Sequence, residues 1–313
     1  MISTKSVIRF VSGCLVAMLA APLAHAEHPA EKPEDAGVPA HKQSLAAIAG
    51  KLNDPTSDIW ALQFEFDTDI SRGRLSGNDY KYGGKMLFQP IMPFEWSEHW
   101  KMLTRPVVPI IFSTDVPTVR SGEIEFPSKG GIGDIELPLF FSPKPTSRLS
   151  LGKKFSWALG PTWSFPSASS DSLGSGKWEV GPVVLALYKT RKVTAGFLGE
   201  YWWSFAGDGD RDDTSHATIL YFFYYMLGEW QVGMNPTISF NNKATSGNKW
   251  NVPIGLVVGK TVKIGGLPMK IQVGLDYSLV HQRDFGEQWK VKLQITPVIP
   301  SLVKKPLTQL FQR

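Results

Sequence analysis

The chain has 313 residues, with 33 Lys+Arg against 28 Asp+Glu, 42% hydrophobic residues, 37 aromatic residues and one cysteine. The small basic excess is scattered, so it offers no clustered footprint for nucleic acid, and the aromatic content excludes intrinsic disorder. Beyond the N-terminus no run of about 18 apolar residues exists, which excludes a bundle of membrane helices.

Residues 1–26 read as an export signal. Lys5 and Arg9 precede an apolar stretch from Phe10 to Leu23, and Ala24-His25-Ala26 supplies small residues at the two positions a signal peptidase reads. Gly13 and Pro22 break the stretch, which is too short for an anchor. Val11-Ser12-Gly13-Cys14 imitates a lipoprotein box, but Arg9 leaves too little apolar core before it. Cleavage after Ala26 leaves 287 residues with a net charge of +3 and removes the cysteine, so the mature chain has neither a disulfide nor a thiolate metal site. Residues 27–57 are polar, with one short helix-like stretch in which Leu45, Ile48 and Leu52 share a face. They are expected to form a periplasmic arm or a plug.

From Ile59 the period becomes two, the mark of strands with two chemically distinct faces. Trp60, Leu62, Phe64 and Phe66 alternate with Gln63, Glu65 and Asp67, and near the other end Trp289, Val291, Leu293 and Ile295 alternate with Lys290, Lys292, Gln294 and Thr296. Twelve such segments are predicted, at 59–70, 80–93, 100–112, 131–142, 154–165, 177–189, 192–205, 216–227, 230–240, 249–262, 269–280 and 289–299. Odd-numbered connections are mostly long and polar, such as Ser113–Gly130. Even-numbered ones are mostly short, such as Thr190-Arg191 and Gly228-Glu229, with Pro143–Lys153 the exception. An even strand number with long loops on one side and short turns on the other predicts an all-β fold, a single transmembrane antiparallel up-and-down β-barrel over residues 58–300, followed by a tail at 301–313. A soluble sandwich would have to fit twelve large apolar faces into one interior. Trp60, Trp100, Trp178, Trp230, Trp250 and Trp289 stand at strand ends, where a membrane barrel places its interfacial aromatics.

Four runs carry a family resemblance. Gly131-Ile-Gly-Asp-Ile-Glu-Leu-Pro-Leu-Phe-Phe-Ser-Pro143, Leu173-Gly-Ser-Gly-Lys-Trp-Glu-Val-Gly-Pro182, Trp203-Ser-Phe-Ala-Gly-Asp-Gly-Asp210 and Trp250-Asn-Val-Pro-Ile-Gly-Leu-Val-Val-Gly-Lys260, the last followed by Lys263-Ile-Gly265, resemble signature blocks of the outer-membrane family associated with the meta-pathway of phenol degradation. The resemblance spans residues from about 54 to 299 and implies an outer-membrane barrel that moves small, often aromatic or hydrophobic, compounds. The chain departs from the pattern in the length of the Pro143–Lys153 turn and in the tail Ser301–Arg313, which carries Phe311.

Other motifs fall short of chemistry. Gly255-Leu-Val-Val-Gly259-Lys260-Thr261 has three residues between its glycines where a phosphate loop needs four and a following helix. Asp208, Asp210, Asp212 and Asp213 form an acidic extracellular loop, but an EF-hand would require Gly in place of Asp213 and Glu in place of Ile219. No metal or cofactor is expected. His28 and His41 lie in the arm and His99 in a predicted periplasmic turn. His216 and His281 with Asp210, Asp212 or Asp284 make the best catalytic set available, yet no serine nucleophile motif accompanies them, and the chain reads as a non-enzyme.

Charges facing lipid at mid-depth cost about 2–4 kcal/mol for basic groups. Lys101, Arg105, Asp134, Glu136, Lys154, Glu179, Glu200, Lys270, Asp276, Lys290 and Lys292 are therefore assigned to the lumen. They either fill it with ion pairs or contact a solute. Their mixed signs fit a neutral or amphipathic solute better than an ion of one sign. The expected partners are a small-molecule solute, outer-membrane lipid and lipopolysaccharide, and the barrel-assembly machinery. The function expected is passive uptake; the alternative is a non-conducting structural or adhesive barrel.

Overall fold

A computed structural model describes residues 44–303. Twelve strands form a closed antiparallel barrel: β1 (Trp60–Arg72), β2 (Lys81–Glu95), β3 (Trp100–Thr104 and Val108–Asp115), β4 (Ser128–Ile132 and Ile135–Pro143), β5 (Phe155–Phe165), β6 (Lys177–Lys189), β7 (Val193–Gly207), β8 (Ser215–Leu227), β9 (Trp230–Met234 and Thr237–Asn241), β10 (Trp250–Ile264), β11 (Leu267–Val280) and β12 (Gly286–Ile299). Each strand pairs with its sequence neighbour, and β1 closes on β12 from Trp60 opposite Ile299 to Arg72 opposite Gly286. Closure leaves no sheet edge, so backbone polar groups pair around the ring rather than facing an apolar surround. The twelve predicted segments coincide with these strands to within about three residues at their ends.

The alternation sorts side chains as the pleat requires. On β1, Gln63, Glu65 and Asp67 line the interior, while Phe64 on the outer face packs on Phe88 of β2, ring centroids 5.2 Å apart. Large apolar side chains such as Leu159, Phe197, Leu256 and Leu275 are exposed on the outside. A continuous apolar exterior on a closed barrel calls for hydrocarbon around it. At the long-loop end Trp178, Trp203 and Trp250 are exposed as interfacial aromatics should be. Trp60 departs from that expectation: it is buried beneath Phe94, and its indole N–H donates to the Pro93 carbonyl at 2.9 Å.

Three strands are interrupted. β3 breaks around Pro106, which has no N–H to give, and a single bridge between Val107 and Glu136 spans the break. β4 breaks at Gly133-Asp134, where the Asp134 carboxylate accepts from the backbone N–H of Ala168 at 3.1 Å and of Ser175 at 2.5 Å. β9 breaks at Asn235-Pro236, and its ladder to β10 stops between Gly233 and Ser239. Pro236 on one side and Pro253 on the other both lack a donor, so this seam is unlaced over about five residues of each strand.

Before β1, Ser44 caps a short helix α1 (Leu45–Leu52), its hydroxyl accepting from the Ala47 N–H at 3.1 Å. Ile48 and Ala49 are buried. Ala49 joins an apolar cluster inside the barrel with Leu103, Phe140, Leu185, Leu198 and Phe222, and Ile48 packs with Ile59, Ala61 and Val298. The helix therefore sits within the short-turn end of the barrel. The expected signal at 1–26, the arm up to residue 43, and the tail from residue 304, with Phe311, lie outside the described residues.

Candidate functional site: a two-faced chamber closed at one end

Above α1 the lumen holds a chamber of about 490 Å³. Its walls differ in kind. β11, β12, β1 and β2 contribute Asp276, Lys290, Lys292, Gln294, Gln63, Glu65, Asp67, Lys85 and Gln89, whereas β3 to β8 contribute Leu103, Phe140, Leu185, Leu198, Leu220 and Phe222. The apolar wall arises because β6 and β7 carry apolar residues on both faces: Val183, Leu185 and Leu187 are buried inward while Val184 is exposed outward.

The polar wall is an ion-pair lattice. Lys85 Nζ lies 2.7 Å from Asp69 and 3.9 Å from Asp67. Lys290 lies 2.9 Å from Glu287 and 3.8 Å from Asp69. Lys292 pairs with Asp276 at 2.7 Å and also donates to the Asn235 carbonyl and side-chain oxygen, each at 3.0 Å. Pairing of this kind satisfies charges that the barrel interior takes out of water. Lys292 also caps one backbone group that the β9 break leaves without a ladder partner. Across the same seam the Tyr221 hydroxyl donates to the Pro253 carbonyl at 2.7 Å.

The floor is built by residues 53–58. The Asn53 amide donates to Gln231 Oε1, and its own oxygen accepts from Lys270 Nζ at 3.2 Å. Gln231 in turn donates to Gln272 at 2.6 Å. Asp54 pairs with Lys189 at 2.6 Å, Lys51 with Asp58 at 3.1 Å, and Lys101 reaches the Thr56 carbonyl at 3.4 Å. Burial pushes the Asp58 carboxyl up, but the Lys51 ammonium outweighs it and holds Asp58 below the ordinary carboxylate range. Beneath this floor a second cavity of about 440 Å³, lined by Lys101, Lys153 and Lys189, opens at the short-turn end.

The residues assigned to the lumen from sequence separate into groups. Arg105, Glu136, Glu200, Lys270, Asp276, Lys290 and Lys292 line the chamber. Lys101 faces the floor. Asp134 holds backbone of the loop between β5 and β6 instead of facing a solute. Glu179 is buried near the long-loop end, accepting from Thr214 at 2.6 Å with His216 Nε2 at 3.0 Å. Lys154 stands exposed in the turn before β5 and lines neither cavity. Glu65, Asp67, Lys85 and Asn235 are chamber residues that the sequence reading did not single out; the same alternation places the first three on the inner face.

The long loops are tied to one another. Arg74 pairs with Asp284, which also accepts from Asn248 at 2.5 Å, joining three loops. The Arg74 and Asn248 hydrogen bonds hold the Asp284 carboxyl below its usual range. In the acidic loop Asp213 accepts from Ser204 at 3.2 Å with Lys177 at 3.5 Å, and these two neighbours, Ser204 first, lower its carboxyl. Asp208 accepts from the Asp210 N–H at 3.0 Å, and Arg211 is spent on the Asp171 and Gly174 carbonyls. The catalytic set considered from sequence is not assembled: His216 stacks on Trp202 beside Glu179, while His281 contacts the Gln282 carbonyl.

No protein-family model and no curated protein matches the sequence, so the specific family read from the four runs is not confirmed. Among solved structures, an outer membrane channel from Pseudomonas putida F1 superposes with a TM-score of 0.56 at 11% identity, covering 77% of this chain and 96% of that chain. The NanC porin gives 0.43 at 12% identity over 76% and 99%, and the Pseudomonas putida toluene transporter TodX gives 0.33 at 12% identity over 84% and 92%. The first likeness is one of fold.

Proposed function

We propose that this chain is an outer-membrane barrel through which small apolar or amphipathic molecules, aromatic ones among them, pass down their gradient. The observation that carries the reading is the two-faced chamber inside a closed, apolar-skinned barrel. Such a chamber holds an apolar body against Leu185, Leu198 and Phe222 and leaves a polar group facing the lattice opposite. The likeness in fold to an outer membrane channel from Pseudomonas putida F1 supports the same reading. The long loops face outward and the short turns the periplasm, as in barrels of this architecture. In this reading residues 1–26 are the export signal, 27–57 the plug, 58–300 the barrel and 301–313 a tail. Lipid and lipopolysaccharide surround it, and the barrel-assembly machinery inserts it.

A non-conducting barrel is the second reading, favoured by α1 and residues 53–58 across the short-turn end. With that end closed, the interrupted β9–β10 ladder offers an apolar molecule a way out through the wall. Residues 27–313 and residues 58–313, both folded in lipid, separate these readings. A channel open through its axis gives larger current steps once the plug is removed, and exit by the wall gives solute uptake into vesicles with little ion current. Absence of both current and uptake in the two folded forms would leave the structural barrel.

A further inference from the structure

The β4–β5 turn, residues 144–154, is long for the short-turn end and carries Lys144, Arg148, Lys153 and Lys154 with no acid. The Lys189 N–H donates to the Lys154 carbonyl at 2.7 Å, which sets the β6–β7 turn, with Arg191 and Lys192, beside it. Lys144 is spent on Glu95, and its N–H donates to the His99 carbonyl at 2.9 Å, tying the turn to the connection between β2 and β3. The other five bases are exposed. Among the described residues none of the five makes an ion pair within 4.0 Å.

The same turn exposes Leu149 and Leu151, at 55% and 64%. It is held against the outside of the barrel, because the Trp157 indole N–H donates to the Leu149 carbonyl at 3.1 Å. Trp157 lies on the outer face of β5, two residues from exposed Leu159 and edge-on to Trp100 with ring centroids 5.9 Å apart. On that face Phe155 packs on Tyr188 at 4.9 Å. Leu151, Phe155 and Trp157 also border the second cavity together with Lys101, Lys153 and Lys189, so apolar and cationic surfaces meet in one recess at the rim.

We propose that this turn is a binding surface for anionic phospholipid in the leaflet on the short-turn side. Leu149 and Leu151 continue the apolar skin among the acyl chains, and Arg148, Lys153, Lys154, Arg191 and Lys192 hold the phosphate-bearing head groups. The inference rests on the reading of the chain as an outer-membrane barrel and gives that barrel a specific lipid partner. An aromatic band with unpaired cations at its edge matches the two halves of an anionic amphiphile. Arginine gives phosphate oxygens a planar fork and lysine a point charge. Net charge selects the lipid: a zwitterionic head group brings a cation of its own to five that have no counter-ion, and an anionic one does not. A soluble acidic partner would meet the same cations but would leave the leucines in water.

The test uses protein purified from outer membranes with one cysteine carrying bimane, either in the turn at Leu151→Cys or across the ring at the same end at Leu267→Cys. Protein with neither substitution is the labelling blank. In vesicles of phosphatidylcholine with a rising fraction of phosphatidylglycerol, one or the other brominated, quenching gives the relative occupancy of the two lipids beside each label. At position 151 phosphatidylglycerol is expected to be favoured about threefold or more, less so as NaCl rises, and at position 267 by less than about 1.5-fold. Arg148→Gln with Lys153→Gln and Lys154→Gln brings position 151 down to the value at 267, whereas Arg148→Lys keeps the preference. All three residues are exposed, and heat-modifiable gel migration confirms folding. Equal preference at the two positions, or a preference that survives the triple Gln variant, overturns the lipid surface. Quenching at 267 but not at 151 overturns it in favour of a soluble partner while the barrel reading stands. Absence of quenching at both positions overturns the membrane-barrel reading as well.

Discussion

Lys292 Nζ bonds the backbone carbonyl of Asn235, three strands away around the ring, at 3.0 Å while pairing with Asp276 at 2.7 Å. Its ammonium thus ties β9 to β11 and β12 across the inside of the seam where the β9–β10 ladder is interrupted. A side-chain bond of this kind can be exchanged without breaking the ring.

Lys292→Met leaves Asp276 buried without its cation, a loss on the order of 3–5 kcal/mol for a buried pair. The temperature at which the folded band disappears on a heat-modifiability gel is expected to fall. Adding Asp276→Asn should recover part of the loss, since the stranded charge goes with it. A melting temperature unchanged by Lys292→Met would remove the seam from any account of barrel stability.

Asp54 and Asn53 hold the floor through Lys189, Gln231 and Lys270. Because Lys189 is 36% exposed, its pairing with Asp54 is discounted to roughly 1 kcal/mol, and the hydrogen bonds add about 1–2 kcal/mol each. Asn53→Ala with Asp54→Ala should therefore loosen the plug without unfolding the barrel, and single-channel recordings should show larger or more frequent openings than in the unaltered protein. Recordings indistinguishable from the parent would mean that α1 alone, through Ile48 and Ala49, seals the end.

Asp284 sets the acid limit of the loop tie. Hydrogen bonds from Arg74 and Asn248 lower its folded pKa, so the stabilisation is complete above the unfolded value near 3.8 and disappears as pH falls through the still lower folded value. Spin labels in the loops after β1 and β11 should stay at fixed separation from neutral pH to about pH 4 and part only in stronger acid. Separation between pH 5 and 7 would assign the change to another group.

Gly181 on β6 admits no side chain, because a Cβ there would lie 1.7 Å from the Tyr201 carbonyl oxygen of β7. Gly181→Ala must push the two strands apart, at about 3 kcal/mol or more, and assembly into the heat-modifiable form should drop sharply. Gly209→Ala, with nothing within 4 Å, is the control that should assemble normally.

The strands themselves were legible from local order. In β6 the predicted span 177–189 is the observed one, and in β12 the alternation of Lys290, Lys292 and Gln294 against Trp289, Val291 and Leu293 places the lysines on the lumen side. The helix at Leu45–Leu52 was legible for the same reason, from Leu45, Ile48 and Leu52 on one face. Asp134 and Lys154 were less so, since each sits beside a strand end, where the period no longer says which way a side chain goes.

By itself the sequence determined twelve segments of period two, their order, the alternation of long and short connections and the polarity of most faces, because these depend on neighbours along the chain. Only the tertiary structure decided that α1 enters the barrel, that the inner faces of β6 and β7 make an apolar wall, and that Lys292 meets Asn235. Those relations depend on register and closure. A residue such as Val183 or Leu185, in a strand apolar on both sides, acquires its role from what the ring brings opposite it.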